Sequence, residues 1–165
     1  MKKLILGLAA MIAIGGAIAL WQLQDAAQAA PDVAFTDLQG KTVTTQDLRG
    51  KVVLVKFWAT SCTTCIAQMP DTIRHYQDLK SKGFDTIGVA MQYDPPNYVK
   101  NYAETRQLPF PVVIDAQGKI AQAFGDVRLT PTAFLIDKQG NIIKRYLGNY
   151  DEQAFLATVE KALAS

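Results

Sequence analysis

The 165-residue chain carries 17 basic and 15 acidic side chains, a formal charge of +2, with 49% hydrophobic and 19% charged residues. Such a balance excludes long disorder and offers no electrostatic footprint for nucleic acid. The start is of another kind. Lys2 and Lys3 precede an uncharged apolar run of eighteen residues from Leu4 to Trp21, followed by a polar stretch from Gln22 to Gln28. As a helix that run reaches about 27 Å, close to the thickness of a bilayer core, and the two lysines would hold its beginning in the cytoplasm. Residues 1–30 are expected to be a membrane anchor or a signal peptide plus linker, outside the fold. Ala27-Gln28-Ala29 fits a small-x-small cleavage site, so retention and removal both stay open. Residues 31–165 are expected to form one domain.

Within that domain, Val33 to Phe35 and Thr42 to Thr44 read as two short strands turned at Gln39-Gly40. A helical turn is expected at Gln46 to Leu48. The run from Val52 to Trp58 is apolar on both faces apart from Lys56, the pattern of a central strand. Thr60 and Ser61 are candidate caps for a helix from Cys62 to about Ser81, whose inner face is Ile66, Met69, Ile73, Tyr76 and Leu79. Pro70 removes a backbone donor there, and a kink is expected. Phe84 to Met91 reads as a strand, Pro95 to Arg106 as a helix, Val112 to Ile114 as a strand, and Lys119 to Phe124 as a short helix. Thr132 to Asp137 and Asn141 to Tyr146 form a hairpin, and Asp151 to Ala164 a closing helix with Phe155, Leu156, Val159 and Leu163 inward. The order is that of an α/β fold, a mixed sheet with helices on both faces, whose site lies at the carboxyl end of a central strand.

The only two cysteines, Cys62 and Cys65, fall where that strand becomes a helix. As a structural staple the pair is poorly spaced: closing so short a loop stabilises by about 2 kcal/mol, against about 3 for fifteen residues. As a reactive pair it is well placed. A sulfur in the first helical turn faces unpaired N–H groups and the positive end of the helix dipole, which favour thiolate. Cys62 is then the nucleophile, and Cys65 the resolving thiol that attacks a mixed disulfide at Cys62.

The stretch Phe57-Trp58-Ala59-Thr60-Ser61-Cys62-Thr63-Thr64-Cys65 resembles the active-site segment of thioredoxin-like proteins, and Thr130-Pro131-Thr132 resembles their second hallmark. The opening hairpin, the extra helix around Tyr98 to Arg106 and Leu135-Ile136-Asp137 are similar to the TlpA and ResA class of bacterial envelope thiol–disulfide oxidoreductases. The resemblance implies a thioredoxin-like fold with an N-terminal hairpin and a strand–helix insertion, a cis proline at Pro131, and a substrate groove of Thr130, Pro131 and Trp58. It further implies a reductase on the periplasmic side of the cell envelope, fed by a membrane thiol relay, with disulfide-bearing client proteins such as cytochrome c precursors or copper chaperones of respiratory oxidases. No cofactor or metal is called for. Three residues depart from the pattern: Ser61 replaces a tryptophan, Lys56 a buried acid, and Gln68 a glutamate. Lys56 and Gln68 are therefore candidate tuners of the thiol pKa.

The main alternative is a copper-binding assembly protein for respiratory oxidases on the same fold, since Cu(I) accepts two thiolates. Those proteins use wider cysteine spacing and a distant histidine, whereas His75, the only histidine here, lies ten residues past Cys65 and is expected to be an ordinary helix-face residue. A peroxiredoxin is disfavoured by Val55 and Ala59 at the positions of its proline and threonine, and haem attachment by Ile66 after Cys65.

Overall fold

A computed structural model describes residues 28–165; of the expected anchor or signal peptide plus linker at 1–30, residues 1–27 lie outside them. The strands are β1 (Gln28–Ala29), β2 (Ala34–Thr36), β3 (Thr42–Thr44), β4 (Val52–Trp58), β5 (Phe84–Ala90), β6 (Val112–Ile114), β7 (Thr132–Ile136) and β8 (Asn141–Leu147). The helices are α1 (Thr63–Leu79), α2 (Pro96–Thr105), α3 (Lys119–Ala123) and α4 (Glu152–Ala164). Six strands form one sheet in the order β1-β8-β7-β4-β5-β6, and β2 pairs with β3 as a separate antiparallel hairpin. β4, β5, β6 and β8 run in one direction, while β7 and β1 run against them.

This is the mixed sheet the chain order implies, with β4 at its centre and buried along its whole length. Alternate β4 side chains serve two layers, as strand periodicity dictates. Val53, Val55 and Phe57 meet α3 and the hairpin through Ile120, Phe124 and Phe35. Val52 and Leu54 face α1 and α4 through Leu79, Phe155 and Val159. Trp58, on that same face, joins Cys65, Met69, Tyr76 and the α2 residue Val99. Lys56 shares the parity of Leu54 and Trp58, so it points beneath α1.

Several local expectations are adjusted. Residues 45–50 make turns rather than a helical turn. Helix α1 does not end at Pro70, in keeping with the sequence reading, and a 3-10 turn at Lys80–Lys82 closes it at Gly83, whose φ of 95° suits only glycine well. In α4, Phe155, Val159 and Ala162 are buried, whereas Leu156 and Leu163 are only partly covered. Gln28 and Ala29, read in the sequence as part of the linker, pair with Ile142 and Asn141 at the edge of the sheet.

The register places the two hallmark segments side by side. Phe57 is opposite Thr132, so the carboxyl end of β4, leading to Cys62, lies against the start of β7, preceded by Pro131. The loop after β5 and the end of β8, where Leu147 faces Thr132, gather at the same pole.

Candidate active site

Helix α1 is capped by a sulfur. Neither Thr60 nor Ser61 is the cap: Cys62 has extended backbone geometry, and its Sγ accepts from the Cys65 N–H at 3.1 Å. A capping oxygen would occupy that position in an ordinary helix. No acidic residue lies in the first turn to oppose negative charge on the sulfur. Cys62 and Cys65 are joined in a disulfide with Cα atoms 5.2 Å apart. Cys62 is half-buried, whereas Cys65 is fully covered and packed in the cluster around Trp58. An incoming thiol or disulfide therefore meets Cys62 first.

Thr60 has a different task. Its N–H and hydroxyl both donate to the buried carboxylate of Asp94, at 2.6 and 2.5 Å. Asp94 sits in the loop after β5, and its neighbour Tyr93 reaches the hydroxyl of Thr130 at 3.2 Å. That single loop grips the segment before Cys62 and the segment before Pro131. Sequence reasoning passed over both residues, because Tyr93-Asp94-Pro95-Pro96 reads only as a helix entry; their partners lie more than thirty residues away in the chain. Hydrogen bonds to a charged group contribute roughly 1.5 to 3 kcal/mol. Asp94→Ala is accordingly expected to lower unfolding free energy by about 3 kcal/mol and to speed amide exchange at Thr60. Unchanged exchange there would show that the carboxylate holds nothing in place.

The Thr130–Pro131 peptide is cis. Pro131 is buried and Thr130 half-buried. Trp58 is different from the expectation. It is wholly buried, 5.3 Å from the Tyr102 ring, and supports Cys65 from below instead of lining a substrate groove.

Lys56 and Gln68 are brought together. Lys56, 1% exposed, donates from Nζ to Gln68 Oε1 at 3.0 Å and to Thr72 Oγ1 at 2.9 Å. Gln68 lies one helical turn past Cys65, and its amide in turn donates to Gly148 O and Asn149 Oδ1, both at 3.1 Å, in the loop after β8. The Thr72 hydroxyl in turn donates a hydrogen bond to Gln68 O. The lysine thus has neutral oxygens for partners. Burial pushes its pKa down to about 8, a fall only partly offset by the Asp71 carboxylate.

His75 is buried rather than on an open helix face. Its Nε2 meets Glu152 Oε1 at 2.9 Å, and its ring stacks on Phe155, because the helix face it occupies packs on α4. Arg74 binds Glu152 as well, and both partners hold the Glu152 carboxyl below the ordinary carboxylate range. The histidine belongs to the α1–α4 contact, apart from the cysteines.

Comparison with known proteins agrees with this geometry. The Redoxin family profile matches residues 25–163. A thiol-disulfide oxidoreductase ResA of Bacillus anthracis is 37% identical over 133 residues, covering 80% of this chain and 75% of its own. A thiol:disulfide interchange protein of the thioredoxin family from Chlorobium tepidum TLS superposes with a TM-score of 0.75 at 30% identity, over 83% of this chain and 97% of its own. The pneumococcal exposed lipoprotein thioredoxin of Streptococcus pneumoniae gives 0.69 at 30% identity, over 79% and 98%.

Proposed function

Since this chain belongs to the Redoxin family and is a thiol–disulfide oxidoreductase of thioredoxin fold, we propose that it is a reductase of the TlpA and ResA type, working outside the cytoplasm on client disulfides. The observation that carries this reading is the asymmetry of the pair: Cys62 half-exposed at a helix N-terminus, Cys65 buried behind it. In the reducing direction, the Cys62 thiolate attacks a client disulfide and expels one client thiolate. Cys65 then attacks Cys62, closing the Cys62–Cys65 disulfide and releasing the client with two added electrons. Electrons would return from a membrane thiol relay, and cytochrome c precursors are one class of client. Thr130 and Pro131, beside the carboxyl end of β4, would flank the client chain.

A location outside the cytoplasm is supported by the lysines and the apolar run at the start, and by the likeness to an exposed lipoprotein. Retention of the segment as an anchor is the favoured form, because cleavage after Ala29 would remove both residues of β1. Trapping thiols in living cells with an alkylating reagent tests the direction. A reductase is held mainly in the dithiol form, and a pair found wholly oxidised in growing cells would overturn it.

The role of Lys56 and Gln68 follows from the same geometry. A buried ammonium bonded to Gln68, itself one turn past Cys65, favours thiolate, and glutamine in place of a carboxylate withholds the charge that would oppose it. Lys56→Met and Gln68→Glu are both expected to raise the apparent thiol pKa. The lysine change should have the larger effect, because a glutamate at 68 would be set directly against the Lys56 ammonium. Titration of the thiols by thiolate absorbance checks this, and curves that do not move would remove both residues from proton handling.

A further inference from the structure

Two buried charges stand at the two ends of the segment that holds the cysteines: Asp94 is bonded to Thr60, and Lys56 to Gln68. Between these contacts the chain is uncharged. Residues 57–70 contain no Asp, Glu, Lys or Arg, and neither do 129–132 or 147–149, which gather at the same pole.

Asp94 is 2% exposed, and both of its oxygens accept: Oδ2 from the Thr60 N–H at 2.6 Å, Oδ1 from the Thr60 hydroxyl at 2.5 Å. That is the pattern of an ionised carboxylate. It makes no ion pair among the described residues. A buried charge without a counter-charge is costly, and these two bonds do not require one. An asparagine would make both, accepting the N–H and donating its amide to the hydroxyl oxygen. Asp115 shows where a lone buried carboxylate is otherwise tolerated: it accepts the Ile120 and Ala121 N–H groups at the start of α3, where a helix terminus favours negative charge. The Asp94 carboxylate bonds no helix amide. It lies instead at the approach to α1. Thr60 belongs to the turn Ala59–Cys62, closed by the Cys62 N–H on Ala59 O at 3.1 Å, and Cys62 caps the helix. The charge is also fixed in place. Asp94 N–H is bonded to Met91 O and Met91 N–H to Trp58 O, and Pro95 and Pro96 follow.

We propose that Asp94 sets the redox equilibrium of the cysteine pair: its charge, held on Thr60 two residues before Cys62, opposes the thiolate that the helix terminus and Lys56 favour, and so makes the dithiol a stronger reductant. The inference rests on Cys62 as the attacking thiol. Reduction of the Cys62–Cys65 bond takes up two electrons and leaves a thiol at Cys65 and, once its proton is lost, a thiolate at Cys62. A neighbouring negative charge destabilises that thiolate and favours the disulfide, so the two electrons pass more readily to a client. A stabilised reduced form makes an oxidant, and a destabilised one a reductant. Asp94 thus acts through Cys62 as a positioning residue and touches no client.

The test equilibrates the full chain with reduced and oxidised dithiothreitol at pH 7 and counts free thiols by alkylation. Asp94→Asn is expected to move the equilibrium constant about fivefold toward the dithiol, the effect of removing one nearby, partly screened charge. Lys56→Met should move it the opposite way, toward the disulfide, with the double variant between the two. Asp94→Ser, also neutral, should move it in the same direction as asparagine, whatever it costs in stability. Thr60→Ala keeps the charge and loosens the turn, so it should lower stability and leave the constant within about twofold. A constant unchanged in both neutral variants, or shifted toward the disulfide, would overturn the proposal. So would a shift in Thr60→Ala as large as that in Asp94→Asn, because geometry and not charge would then govern. If the neutral variants shift as expected but the pair is oxidised in growing cells, the reductase reading fails and the role of Asp94 stands. A dithiol in cells with no shift in the variants sinks Asp94 alone.

Discussion

Cys65→Ser should arrest the protein as a mixed disulfide with its clients, whereas Cys62→Ser should show no exchange at all. The difference follows from accessibility and from order of events. Cys62 is half-exposed and caps α1, so it can be reached by a client sulfur and stabilised as thiolate by the Cys65 N–H. Cys65 is fully covered and cannot be reached first. Removing it leaves attack intact but takes away the intramolecular thiol that competes, at high effective concentration, for the Cys62 sulfur. A serine at 62 cannot attack a disulfide, so the loss there is complete. Non-reducing electrophoresis of cells expressing each variant reads the result directly, and the trapped species identify the clients. Should Cys62→Ser accumulate mixed disulfides and Cys65→Ser none, the two roles are exchanged.

The second large effect is one of stability. Lys56 is lowered from 10.5 to about 8 by burial. Below about pH 8 both the folded and the unfolded chain carry the proton, and the folded state bears the whole cost of keeping an ammonium under α1. Between about 8 and 10.5 the native lysine is neutral while the unfolded one is still charged. The unfolded state then binds more protons, and stability rises with pH across that window. A fall of that size corresponds to about 3 kcal/mol. Lys56→Met has no such titration. The stability of Lys56→Met relative to the natural protein should therefore be greater at pH 7 than at pH 10.5 by about 3 kcal/mol, measured by urea unfolding of the oxidised forms, in which the cysteines do not titrate. A gap that stays constant over this range would mean that the lysine keeps its ordinary pKa in the folded chain, its buried ammonium being fully compensated. The hydrogen bonds to Gln68 and Thr72 lost in the variant shift the gap at every pH alike and leave its slope unaffected.

Much of this architecture was legible in the sequence for a physical reason. A wholly buried strand must be continuously apolar, a helix packed on one face must repeat every three to four residues, and turns need glycine; so β4, α1 and the hairpins could be drawn before any coordinates. The cysteine pair was legible because its spacing and its place after a strand are local facts. What stayed hidden was long-range. Nothing near Asp94 indicates that it serves Thr60, thirty-four residues back. Nothing near Gln68 announces Asn149. Trp58 was placed in the groove by resemblance alone, yet alternation along β4 sends it into the core beneath Cys65. His75 is the helix-face residue expected, but its burial was not foreseen: periodicity identified one covered helix face, whereas α4 covers a second.

The short strand β1 has a mechanical consequence. Its two residues pair with Asn141 and Ile142, and Ala30 N–H is bonded to Gly140 O in the turn between β7 and β8. Leu147, at the redox pole, lies five residues farther along β8 than Ile142, roughly 17 Å away at strand rise. Tension applied through the N-terminal segment is thus taken up at the far pole of the sheet, by a shear-loaded pair of edge strands, before it can reach the disulfide. A load applied there would therefore leave the alignment of Cys62, Thr130 and Pro131, at the opposite pole, undisturbed.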